Sequence, residues 1–175
     1  MPVRRLNAHP VVVVTGVENS GKTTLAKALA LELGWPLVAE AARTDDAVVS
    51  GHTKIADLQR LLQAQCDAID GRTSSLLLDT GPLVLDLWSQ AVFASPLEGV
   101  AAAMDRVDMF ILCRTLPDWE PDPLRTLPNL GDRQDLEAQY VARLRDLGRP
   151  WVDLPVQPTS ARLAAALDAV QSPCP

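Results

Sequence analysis

Aromatic side chains are scarce, with four Trp, two Phe and one Tyr in 175 residues. So few ring faces exclude a surface that stacks the bases of single-stranded nucleic acid. Basic charge is also short: 16 Lys and Arg stand against 22 Asp and Glu, for a formal net charge of −6. A protein that grips the phosphate backbone needs the opposite balance, so nucleic acid is not an expected partner. The three cysteines, Cys66, Cys113 and Cys174, are odd in number and lack metal-ligand spacing. They exclude a disulfide framework and read as cytosolic usage, with Cys113 a core thiol at the end of an apolar run. His9 and His52 have no partners at ligand spacing and read as ordinary surface histidines. No apolar run approaches the ~20 residues of a membrane helix, so no membrane partner is expected. Arg4-Arg5 could open a twin-arginine export signal, but no apolar core segment and small-residue cleavage site follow. The expected location is the cytoplasm.

What is present is an ordinary globular balance, 47% hydrophobic and 22% charged. The length suits one domain over residues 1–175, with a loosely held leader at 1–10. The patterning predicts strand 1 at Val11 to Thr15 and a helix from Lys22 to Leu33 ended by Gly34. A short strand follows from Trp35 to Glu40, then a polar loop from Ala41 to Lys54. Helical spacing returns from Ile55 to Ile69 and stops at Gly71. Strand 3 runs from Ser75 to Asp79, and Pro82 opens a helix that runs from about Leu83 to Phe93. Another helix is expected over Pro96 to Met104, and strand 4 over Val107 to Cys113. Residues 114–133 hold Pro117, Pro121, Pro123 and Pro128 and read as a functional lid. Asp132 is the expected cap of a helix to Leu147. Strand 5 is Trp151 to Leu154, and the last helix is Ala161 to Val170, capped by Thr159 or Ser160. Short apolar strands alternating with helices predict a five-stranded parallel sheet covered on both faces, a three-layer α/β/α sandwich.

The sharpest motif is Gly16-Val17-Glu18-Asn19-Ser20-Gly21-Lys22-Thr23, directly after Val11-Val12-Val13-Val14. Its form is G-x-x-x-x-G-K-[ST], between a strand and a helix. Glycines let successive N–H groups turn inward as an anion nest. Lys22 supplies charge to the β- and γ-phosphates, and the Thr23 hydroxyl suits Mg²⁺. The motif marks Gly16, Glu18, Asn19, Ser20, Gly21, Lys22, Thr23 and Thr24 as candidate contacts for ATP.

Other polar residues gather at the carboxyl ends of the predicted strands, where ligands of such sheets bind. Asp79, after an apolar strand, reads as a Walker B carboxylate opposite Thr23 on the metal; a turn-forming aspartate is the plainer reading. Thr80 reads as a polar contact or a helix cap. Glu40 reads as the group that takes a proton from an acceptor hydroxyl or holds a sugar diol, or else as half of a salt bridge with Arg43. Arg114, Arg125 and Arg133 border or occupy the lid. Arg125 is the first candidate for charge on the migrating phosphoryl group and Arg114 the second, on the nucleotide side. Trp119 reads as a stacking platform or as the hydrophobic anchor of its loop. The lid carboxylates Asp118, Glu120 and Asp122 suit a cationic substrate or plain solvation. Asp86 is a weak candidate to face the site. The catalytic set is therefore Lys22, Glu40, Asp79 and Arg125, with Thr23 and Asp79 on the metal. Self-association as a homodimer is left open.

Five segments together resemble the ribosylnicotinamide kinase domain of the NadR type and its relatives among small P-loop ATPases of the AAA type. They are the P-loop; Ala39-Glu40-Ala41-Ala42-Arg43 as an E-x-x-R element; Leu58 to Gln65; Leu78-Asp79-Thr80-Gly81-Pro82-Leu83 with Trp88-Ser89; and Trp119-Glu120-Pro121-Asp122-Pro123-Leu124-Arg125 as a W-x-x-D-x-x-R lid. The resemblance covers roughly residues 11 to 155. It implies a nucleoside-kinase-like fold that uses ATP and Mg²⁺ to phosphorylate the 5′-hydroxyl of a riboside, nicotinamide riboside or another nucleoside. It implies phosphate and metal roles for Lys22 and Thr23, metal or acceptor for Asp79, acceptor for Glu40 and the lid for Arg125. The family often carries a second acidic residue after the Asp-Thr pair, where this chain has Gly81. No counterpart of the adenylyltransferase domain of bifunctional members is present in these 175 residues, so a single kinase activity is expected. The rival expectation is a nucleotide-dependent regulatory switch that uses no small acceptor.

Overall fold

Four consecutive valines cannot all face one side of a strand, and in β1 (Val11–Thr15) they serve two cores at once. Val11 and Val13 pack on one face of the sheet, Val12 and Val14 on the other, as the two-residue period of a strand demands. The same division runs through the neighbours: Leu76 and Leu78 against Leu77, and Phe110 and Leu112 against Ile111. A strand buried on both faces reads as a continuous apolar run, which is why these strands were legible.

The computed structural model describes residues 7–172; Arg4, Arg5 and Cys174 lie outside them. Five parallel strands, β1, β2 (Leu37–Val38), β3 (Leu76–Asp79), β4 (Met109–Cys113) and β5 (Trp151–Leu154), lie in the order β2-β3-β1-β4-β5. One layer holds α1 (Lys22–Leu33) and α7 (Thr159–Gln171). The opposite layer holds α3 (Ile55–Asp70), α4 (Pro82–Phe93), α5 (Val100–Asp105) and α6 (Leu130–Leu147). The expected three-layer sandwich is the fold. Gly34 caps α1 in the left-handed region at φ 65°, as its place after Leu33 suggested.

Several boundaries differ from expectation. Strand β2 is two residues long, and Glu40 caps a 3₁₀ turn (Ala41–Thr44) instead of ending a strand. The expected loop then holds a one-turn helix, α2 (Asp46–Val49), whose first amides are held by the Asp45 carboxylate. Helix α5 begins four residues later than Pro96, behind Gly99 in the left-handed region at φ 72°. Asn129, not Asp132, caps α6, because its side chain accepts the Gly131 N–H at 2.7 Å. The lid therefore ends four residues earlier than expected. Neither Thr159 nor Ser160 caps α7, whose cap position is Pro158. At the other end of the chain, Pro10 of the expected leader is buried, and its carbonyl accepts the Leu76 N–H at 2.9 Å, so the leader's last residue extends the sheet. Among the described residues, no helix is long and apolar enough to cross a membrane.

Candidate active site

Strand β1 delivers the chain into the glycine-bearing loop at the sheet's carboxyl edge. Gly16 has φ 144°, and a Cβ there would stand 2.5 Å from the Cys113 carbonyl of β4, so conformation and space both reserve it for glycine. Asn19 (φ 57°) and Gly21 (φ 76°) are left-handed, the backbone alternation that turns successive N–H groups toward one point. No side chain caps α1, so its first-turn amides are left for an anion. Lys22 is 7% exposed. It joins none of the ion pairs among the described residues.

The β1–β3 register sets Val14 beside Asp79, placing that carboxylate next to the loop. Asp79 is buried, and its Oδ1 has no hydrogen-bond partner among the described residues. Burial raises its pKa above the ordinary carboxylate value; the Thr23 hydroxyl and the Lys22 charge pull it back, and the charge of Glu40 pushes it further up. An orphaned buried oxygen beside Thr23 fits a Mg²⁺ site completed by phosphates and water. Among the described residues, no cluster of three or more His, Cys, Asp or Glu could hold a metal by itself. Thr80 follows at φ 67°, costly for a β-branched residue, with its hydroxyl buried and unpartnered among the described residues. Its side chain does not cap α4.

The lid lies against the loop. Arg125 Nη1 donates to Asn19 Oδ1 at 2.9 Å and also to the Glu120 carbonyl. Asn19 in turn donates to the Asp118 carbonyl. The Glu18 carboxylate accepts the N–H groups of Thr126 and Leu127, so Glu18 anchors the lid and does not line the cleft. Arg133 is fully buried and donates to the carbonyls of Leu116, Pro117, Leu127 and Pro128. Its guanidinium lies 5.0 Å from the Trp119 ring and that of Arg125 lies 6.0 Å from it. Trp119 is thus the anchor of the lid.

Between loop, lid and α7 lies a cleft of about 650 Å³. Asn19 to Thr24 line it with Arg43, Asp118, Glu120, Asp122, Arg125 and Arg162. Glu40 stands beside it and pairs with Arg43 at 2.9 Å; Arg43 also reaches Asp122 of the lid at 3.0 Å. Arg114 is not brought to the cleft. Asp153 and Glu137 hold it at 2.5 and 2.9 Å, and these bonds raise its pKa further. Asp86 is fully buried and pairs with Arg143. The residue missed in the sequence is Arg162, a cation in the opening turns of α7. A positive charge near a helix N-terminus opposes the helix dipole, and that misfit was the available signal.

The profile of a family described as an AAA domain matches residues 11–162. The chain belongs to this family. No curated protein matches the sequence significantly. Among solved structures, this AAA domain is similar to NadR in complex with NR, at 22% identity and TM-score 0.72 over 94% of this chain and 51% of that one. It is similar to deoxyadenosine kinase from M. mycoides with bound dATP, at 11% identity and TM-score 0.63 over 94% and 100%. It is also similar to a sugar kinase from Janibacter sp. HTCC2649, at 16% identity and TM-score 0.61 over 93% and 95%. The chain spans about half the length of NadR. The AAA domain thus shares its fold with P-loop kinases.

Proposed function

We propose that this chain is an ATP- and Mg²⁺-dependent kinase that transfers the γ-phosphoryl group to a nucleoside hydroxyl, with nicotinamide riboside the leading acceptor. One observation carries the reading: the P-loop and the lid arginine Arg125 line a single cleft, and the strand register sets Asp79 beside the P-loop. Lys22 and the loop amides bind and orient the phosphates. Mg²⁺, held by Thr23 and Asp79, would neutralise charge on the β- and γ-oxygens. Arg125, docked on Asn19, supplies positive charge over the migrating group. Glu40, within electrostatic reach of Asp79, receives the acceptor proton or holds the ribose diol. Asp118, Glu120 and Asp122 give the cleft an acidic wall that suits a cationic ring.

The test is ADP release from ATP·Mg²⁺ with and without a panel of nucleosides headed by nicotinamide riboside. Strong stimulation by one of them is expected. A second reading, a nucleotide-dependent switch, draws on the direct docking of the lid onto Glu18 and Asn19. A flat panel with tight nucleotide binding would favour it and overturn the kinase reading.

A further inference from the structure

Arg162 is 4% exposed, yet it joins none of the ion pairs among the described residues. Its Nη1 donates to the Ser20 carbonyl at 2.9 Å in a fully buried bond. Its Nε and Nη2 have no hydrogen-bond partner among the described residues. A buried guanidinium without a counter-charge is destabilising, and its place near the start of α7 adds an unfavourable dipole. Both costs fall on a residue that lines the same cleft as Lys22 and Thr23.

The Ser20–Gly21 peptide links this arginine to the phosphate loop. That unit is planar and trans, so holding the Ser20 carbonyl toward Arg162 turns the Gly21 N–H the opposite way. A charged donor also polarises the peptide and strengthens its N–H as a donor. Gly21 is the cap residue of α1 and precedes Lys22, so its amide belongs to the anion-binding turn. The fit is close: a Cβ on Gly21 would stand 3.3 Å from Arg162 Nη1.

We infer that Arg162 is a positioning residue for polyphosphate. It fixes the Gly21 amide for the β-phosphate, and its uncompensated charge strengthens the field of the cleft. This rests on the nucleotide site proposed above and adds to it a residue from the far end of the fold.

The test is calorimetric titration of ATP, ADP and AMP into the wild type, Arg162→Gln and Arg162→Lys. In Arg162→Gln, the dissociation constants of ATP and ADP should rise roughly ten- to hundredfold, the range for losing a charge-assisted hydrogen bond. AMP, which lacks a β-phosphate, should change by less than about threefold. Arg162→Lys keeps the charge without the planar fork and should fall between, with the same selectivity. If Arg162→Gln does not fold, that selectivity is read on Arg162→Lys alone. Equal losses for all three nucleotides would reduce Arg162 to a structural role, and unchanged ATP affinity in a folded variant would remove it from the site. A wild type that binds neither ATP nor ADP would overturn the nucleotide reading itself.

Discussion

Asp79 is 2% exposed, one of its oxygens has no hydrogen-bond partner among the described residues, and burial raises its pKa. A carboxyl whose folded pKa is raised is stabilising while protonated, below the ordinary value of 3.8, and loses that contribution as pH rises through the raised value. At neutral pH the ionised group therefore costs stability, partly offset by Thr23 and Lys22. Asp79→Asn keeps the shape and removes the charge. It should raise the melting temperature at pH 7. The gain should shrink as the pH approaches 4, while phosphoryl transfer is lost at every pH. A melting temperature that falls at pH 7 would show that the charge is already compensated. Gly81 has a related, purely steric explanation. At φ −130° any residue is tolerated, but a Cβ there would stand 2.6 Å from Val13 Cγ1. The acidic residue often found there in NadR-type kinases has no room in this chain.

The lid holds its shape with almost no regular structure, because one buried cation replaces the missing backbone ladder. Arg133 bonds carbonyls at both ends of the segment, Leu116 and Pro117 on one side and Leu127 and Pro128 on the other, and stacks on Trp119 between them. Arg133→Met would orphan those carbonyls at about 1–3 kcal/mol each where they stay buried. Amide exchange should accelerate across residues 116–128 while β1, β3 and β4 stay protected, as measured by hydrogen–deuterium exchange. Uniform acceleration would mean that the lid and core unfold together. The lid also marks the limit of what the sequence discloses. Its existence was legible from four prolines in twenty residues, and the P-loop and the Gly34 cap were legible because their signals are local. The partners of Arg133, Arg114 and Arg162 were not: Arg133 closes the lid on carbonyls 16 and 17 residues back, Arg114 reaches 23 and 39 residues along the chain, and Arg162 reaches 142. An arginine beside a loop looks the same in sequence whether it reaches a phosphate, as proposed for Arg125, or a carboxylate, as Arg114 does.

Across the whole molecule the charge is −6, yet Lys22, Lys27, Arg43, Arg125 and Arg162 all line one cleft, against Asp118, Glu120 and Asp122. The acidic remainder repels polyanions at long range, and the cleft attracts a small one at short range. Binding there links the P-loop, the lid and α7, so it should stabilise the fold as a unit. At a hundredfold excess over the dissociation constant, ATP·Mg²⁺ should add about 2.7 kcal/mol, or a rise of roughly 5–11 °C in melting temperature. Lys22→Ala removes a buried cation and, with it, the pull of that charge on Asp79, so the variant should fold with little change in melting temperature. It should nevertheless lose most of the ATP shift and all turnover. Glu40→Gln acts on the acceptor side, so it should keep the ATP shift and lose acceptor-dependent transfer. The two variants thus separate nucleotide binding from acceptor activation within one thermal-shift series. If Glu40→Gln instead melts well below the wild type without ATP, the pair with Arg43 holds the fold together, and Glu40 leaves the catalytic set.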